Sequence, residues 1–275
     1  MIYIAVVGIM WGISRTFYWI ALNSEFVGNS DKIHRGEETG FLFALPVAIS
    51  VGGPLLGGLM LQFMGFGVLF TLFSVMLIIS VIPLFLTQDY RKLFKFRKKD
   101  IKFRLGNRFN LGFFAQGFTF IGEVIIWPFY IYITLGDVIS TAASVSLSVL
   151  GVVFFTFVAG KFADRINRRK MLSIGAVGYF IVCILRYFAG TNLEFFVLSF
   201  LGGLLLVLMR IPIFASFSDK ANENNILNYV SQRELFLSLG RAVLMLIMVL
   251  GIIGVRASLI VIGLLALVLV LIKIK

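Results

Sequence analysis

Three ionisable residues fall near the middle of long apolar runs: Arg15, Glu123 and Arg210. A charge at that depth is costly in hydrocarbon, so it faces a cavity, pairs with a partner, or reaches out to the interface. A carboxylate so placed can exchange a proton or touch a substrate; guanidiniums can contact an anionic group or keep the carboxylate ionised. The chemistry expected of this set is proton coupling or substrate contact at mid-membrane, with Glu123 as the carboxylate and Arg15 and Arg210 as the cations. Trp127 and Tyr130, with Phe118 and Tyr132, are expected to form an aromatic wall beside Glu123. A plainer alternative stands beside it: the charges pair with one another or with backbone carbonyls and only lock helices, and the aromatics anchor at an interface. Arg186, near the end of its run, is expected to snorkel or to pair with Glu194, and Arg241 to snorkel or to face the cavity.

The elements that must hold these residues follow from composition. The 275-residue chain is 60% hydrophobic and 14% charged, far more apolar than a water-soluble domain needs, which makes it a polytopic membrane protein. Nine runs approach the roughly 20 residues of a membrane crossing: 1–23, 39–62, 67–86, 109–134, 138–159, 171–189, 193–217, 233–253 and 257–272. They are continuous rather than alternating, so helices are predicted and barrel strands excluded. Alternate connectors hold twenty of the 25 Lys and Arg, Lys220 and Arg233 among them, which places that side in the cytoplasm with the C-terminus, and Met1 outside. The net charge of +12 is therefore mostly topology, and no nucleic-acid partner is expected. The single cysteine, Cys183, and single histidine, His34, form no cluster for a metal. The longest connector, residues 87–108, interleaves Lys and Arg with Leu93, Phe94, Phe96, Ile101, Phe103 and Leu105. It fits a helix lying on an anionic membrane surface or a solvated basic linker equally well. Either way it separates a three-span unit, 1–86, from a six-span unit, 109–275.

Residues 160–170, GKFADRINRRK, form a charged turn between the fifth and sixth runs. With Gly160, Asp164, Arg165, Arg168 and Arg169 this turn resembles the signature Gly-x-x-x-Asp-Arg-x-Gly-Arg-Arg-x of the major facilitator superfamily (MFS) of secondary transporters. Asn167 stands where the family has Gly, and is expected to take a positive φ in its place. A second resemblance lies at Gly53, Pro54, Gly57 and Gly58, preceded by Arg35-Gly36 and Glu37-Glu38: family members carry Gly-Pro-x-x-Gly-Gly within their fifth helix. Close packing through small residues and a bend at Pro54 are expected there. In the family this pattern accompanies antiporters.

Together the two matches imply that the nine runs are helices four to twelve of a twelve-helix, two-bundle fold. The first three helices would be absent, through truncation or a late-assigned start. The family's central cavity is lined by helices one, four, seven and ten, which would carry Arg15, Glu123 and Arg210. The resemblance implies a secondary active transporter that moves a small molecule by alternating access, proton-coupled, with an exporter or antiporter mode. It would work as a monomer in the lipid bilayer of a bacterial plasma membrane, driven by an ion gradient without a cofactor. In the signature turn Asp164 would cap the start of the second run near residues 37–40, and Arg168 or Arg169 would bridge to Asp219. Two other classes remain: a non-transporting descendant acting as receptor or scaffold, and a membrane-embedded enzyme. The enzyme is disfavoured, because the runs hold no His, one Cys and no paired carboxylates.

Overall fold

Segments this apolar cannot leave backbone amides and carbonyls to lipid, so each satisfies them internally as a helix. A computed structural model describes residues 2–30, 38–39, 41–42, 46–48, 50–86, 108–163, 167–222 and 226–272; they contain helices and turns and no strand. The long elements are α1 (Ile2–Asn29), α2 (Gly53–Leu86), α3 (Arg108–Ile121), α4 (Trp127–Leu135), α5 (Val138–Ala163), α6 (Arg168–Phe188), α7 (Asn192–Asn222), α8 (Ile226–Val249) and α9 (Val255–Val268). A π-helical segment, Gly122–Ile126, joins α3 to α4, and a 3-10 turn, Leu269–Leu271, ends α9. Among the described residues five stretches are long and apolar enough to cross a membrane: Pro46–Pro83, Arg108–Leu135, Val138–Thr156, Arg168–Phe188 and Asn192–Ala221. The fold is an all-α membrane fold. The 87–107 connector, and with it the expected amphipathic segment, lies outside the described residues, as does His34.

Chain breaks fall where backbone chemistry demands them. The second and third predicted runs meet inside α2 at Gly65, whose φ of 77° and ψ of 174° interrupt the helix. That region is open to glycine and strained for any L side chain. In the first turn of α2, Pro54 has no N–H to donate to the carbonyl of Ser50, four residues back. The Ser50 carbonyl instead accepts from Gly53 at 3.1 Å, so the irregularity expected at Pro54 is a turn over residues 50–52. Between α4 and α5 the chain turns in two residues. Gly136, at φ 68°, closes α4 with a bond to the Tyr132 carbonyl, and Asp137 then accepts the amides of Ile139 and Ser140 at the start of α5.

Packing builds the core where α3, α6, α7, α8 and α9 meet, around Phe113, Tyr179, Phe195, Phe214, Phe236 and Leu259. α5 lies along α7, α3 along α8, α6 against α7 and α9, and α1 against α8. Small residues allow the closest crossings: a Cβ on Gly117 or Gly240 would run into the facing backbone of α8 or α3. The start of α2 docks on α5, where the Leu55 amide donates to Ser146 Oγ at 3.1 Å and Gly58 lies against Ala142. Gly53 and Gly57 have no described neighbour within 4 Å of a Cβ position, so close packing in the Gly-Pro segment rests on Gly58 alone. One boundary differs with consequence: α8 begins at Ile226, about two turns before the predicted run. Arg233, expected in a cytoplasmic connector, is therefore a buried helical residue.

Candidate functional site

The predicted carboxylate sits on a helix defect. Pro128 lacks the N–H that would continue the α-helical ladder, and the preceding residues register instead as a π-helix, in which Trp127 N–H reaches the Gly122 carbonyl. The widened turn aims Glu123 inward, where it is saturated. Arg186 donates through both terminal nitrogens, Nη1 to Oε2 at 2.7 Å and Nη2 to Oε1 at 3.0 Å. Ser148 Oγ donates to Oε1 at 2.8 Å and the Tyr179 hydroxyl to Oε2 at 3.0 Å. Arg186 Nη2 also donates to the Leu198 carbonyl, and its guanidinium lies 4.2 Å from the Trp127 ring. Four elements are tied at one buried point.

This corrects three expectations. Glu123 does not meet Arg15 or Arg210; the alternative of a helix-locking pair describes it. Arg186 neither snorkels nor reaches Glu194, because it is 1% exposed and bound to Glu123. Glu194 instead accepts the amides of Gly190 and Thr191 at the start of α7. Nor do Trp127 and Tyr130 line a cavity with the arginines. Trp127 donates to Ser199 Oγ at 2.8 Å and Tyr130 to the Ala189 carbonyl at 3.1 Å, and both rings pack on Phe195. Phe118 is buried in the core, while Tyr132 is 46% exposed.

Arg15 and Arg210 do converge, on a cavity of about 50 Å³ between α1, α3, α7, α8 and the end of α9. That is room for a few water molecules. α1 contributes Arg15, Trp19 and Asn23, one face of the helix at four-residue spacing; α8 contributes Glu234, Leu237 and Arg241, with Arg233 beside them. The Glu234 carboxylate accepts from Arg233 Nη1 at 2.6 Å and from Asn23 Nδ2 at 3.3 Å. Arg233 is held against the Phe214 and Phe217 rings at 5.1 and 5.0 Å. Arg15 and Arg241 each lie 4.8 Å from the ring of Phe120. Arg241 is thus a cavity residue, the second of its two expected placements.

Arg233 and Glu234 are the site residues that sequence reasoning passed over as a site. The signal was present as helical spacing: Arg15 and Asn23 are eight residues apart, Glu234 and Arg241 seven, each pair on one face of a helix. Arg233 was hidden by the late predicted start of its run.

The signature turn is described in part. Gly160 lies in the last turn of α5, Arg168 and Arg169 open α6, and Asp164 and Arg165 lie outside the described residues, as do residues 37 and 40 of the segment expected to receive Asp164. Asn167 has φ −58° and not a positive value: it is the N-cap of α6, its side chain accepting the Arg169 amide at 2.9 Å. Arg168 Nη1 meets Asp219 Oδ2 at 2.7 Å, joining the start of α6 to the end of α7.

Apolar helices packed around buried ion pairs and one arginine-lined cavity define a polytopic helical membrane protein. The chain belongs to the Major Facilitator Superfamily, whose family model matches residues 112–274. It is also similar to a protein of Bacillus subtilis (strain 168) described as an uncharacterized MFS-type transporter, YxiO, with 43% identity over 47 residues. That stretch covers 17% of this chain and 11% of the relative.

Proposed function

We propose that this chain forms part of a secondary active transporter that moves a small molecule across the membrane by alternating access. The observation that carries the reading is the arginine-lined cavity, which lies between α1 on one side and α3, α7 and α8 on the other. In this reading residues 1–86 belong to one bundle and residues 109–275 to the other, with 87–108 as the linker. The two rock about the cavity, which opens to one side and then the other. The protein is a monomer of the bacterial plasma membrane, with the linker and C-terminus cytoplasmic and an ion gradient in place of a cofactor.

The mode proposed is proton-coupled export or antiport. The coupling carboxylate is assigned to Glu234 rather than Glu123. Glu234 faces the cavity and accepts two hydrogen bonds, whereas Glu123 is fixed by four donors away from it. Proteoliposomes holding a trapped pH dye test this. Addition of a transported solute moves protons in wild type, and Glu234→Gln abolishes proton movement while solute counterflow continues. Proton movement that survives in Glu234→Gln at wild-type rate contradicts the assignment.

A further inference from the structure

We infer that the cavity at Arg15, Arg210, Arg233, Arg241 and Glu234 selects a small anion, a carboxylate or phosphate group being the part it grips. The inference rests on the transport reading only for what the bound anion is used for. Four guanidiniums approach one cavity from α1, α7 and α8, and among the described residues of its wall a single carboxylate faces them. Like charges gathered in a poorly hydrated interior repel one another, and the arrangement is stabilised by an anion placed among them. Guanidinium is the group suited to that task, because its planar fork donates two parallel hydrogen bonds to carboxylate or phosphate.

Aromatic rings back three of these cations at the wall. Phe120 supports Arg15 and Arg241, each 4.8 Å from its ring. Phe214 and Phe217 support Arg233. Among the described residues the Nε atoms of Arg233 and Arg241 are buried and find no acceptor. Glu234 serves as a resident counter-ion to Arg233 and accepts a further hydrogen bond from the Asn23 amide. An incoming anion competes with it for Arg233 and meets Arg15, Arg210 and Arg241 from the other helices.

The test uses the full chain in nanodiscs of phosphatidylcholine, with thermal unfolding and the fluorescence of Trp19-containing protein as readouts. Inorganic phosphate, succinate and acetate are titrated against chloride at equal ionic strength, with glucose and choline as uncharged and cationic controls. At least one of the three anions is expected to raise the unfolding temperature saturably, with its midpoint weakened about tenfold or more in Arg241→Gln and partly restored in Arg241→Lys. A parallel arm replaces the lipid with phosphatidylglycerol: stabilisation seen only there, and lost in Arg241→Gln, supports the anion site and identifies its source as a lipid headgroup. No response to any of these anions or to phosphatidylglycerol, an equal response in Arg241→Gln, or an equal response to glucose or choline overturns the inference. Flux separates the two readings. Anion binding without solute flux in proteoliposomes leaves this inference standing and removes transport, whereas flux of uncharged or cationic solutes without anion binding does the reverse.

Discussion

Glu123 and Glu234, the carboxylates buried among the described residues, are set apart by what surrounds them. Glu123 and Arg186 satisfy each other, with Ser148 and Tyr179 filling the remaining lone pairs, so neither can be removed without stranding the other. Breaking such a pair costs about 3–5 kcal/mol. Glu123→Gln is therefore expected to lower the thermal unfolding temperature strongly, with transport per folded molecule little changed. Glu234→Gln also strands a buried partner, Arg233, and should lower the unfolding temperature too, but it alone is expected to remove proton-coupled flux per folded molecule. Thermal melts alongside flux normalised to folded protein check both, and a Glu123→Gln protein with wild-type stability and no coupling would reverse the assignment. Arg15 and Arg210 were legible in the sequence because a lone charge in an apolar run must be accommodated. The partner of Glu123 was not. Arg186 lies near the end of its run, where snorkelling satisfies a sequence argument equally well, and only the π-helical turn above Pro128 brings the two together.

At the scale of the element, small residues and caps decide where helices meet and end. Gly202 on α7 faces the Arg186 guanidinium, which a Cβ would displace. Gly202→Ala is expected to destabilise the bundle nearly as much as loss of the ion pair, because Arg186 cannot move without leaving Glu123; additivity in the double variant with Glu123→Gln would argue against that coupling. At the start of α5, hydrogen bonds from Ser140, and after it from the Ile139 amide, hold the partly exposed Asp137 carboxyl below its ordinary range. The group is depressed in the folded chain, so its stabilisation is complete above the unfolded value of about 3.9 and is lost as pH falls through the lower folded value. The unfolding-temperature gap between wild type and Asp137→Ala is therefore expected to persist at neutral pH and to close below about pH 4. A gap that is constant down to pH 3 would contradict it. Gly136-Asp137 is readable as a stop and a start from residue types alone. Asn167 reads ambiguously, since the same side chain suits a positive φ or an N-cap, and the unpaired amides at the start of α6 settle it as a cap.

For the molecule as a whole, the apolar runs placed helices over nearly the full described chain, because hydrocarbon leaves the backbone no other choice. The cavity was legible only in part. Helical spacing put Arg15 and Asn23, and Glu234 and Arg241, on common faces, but which faces turn toward each other depends on glycine crossings such as Gly117 with Gly240. Motion between bundles is expected to work through polar ties at the helix ends. Arg168 and Asp219 are partly exposed, and a pair of that kind contributes about 1 kcal/mol or less to stability. Asp219→Asn should accordingly slow turnover with little change in unfolding temperature or in substrate affinity; a selective loss of affinity would count against a role in the conformational change. The central claim is that the arginine-lined cavity is reached in turn from both sides of the membrane. Cys183, the one cysteine of the chain, is buried, so Cys183→Ser gives a background in which Leu237→Cys places a single thiol on the cavity wall. Labelling by a membrane-impermeant thiosulfonate, applied from each face of sided membrane vesicles, should succeed from both faces, with substrate shifting the ratio of the two rates. Labelling from one face only, at a ratio no solute alters, would contradict the account.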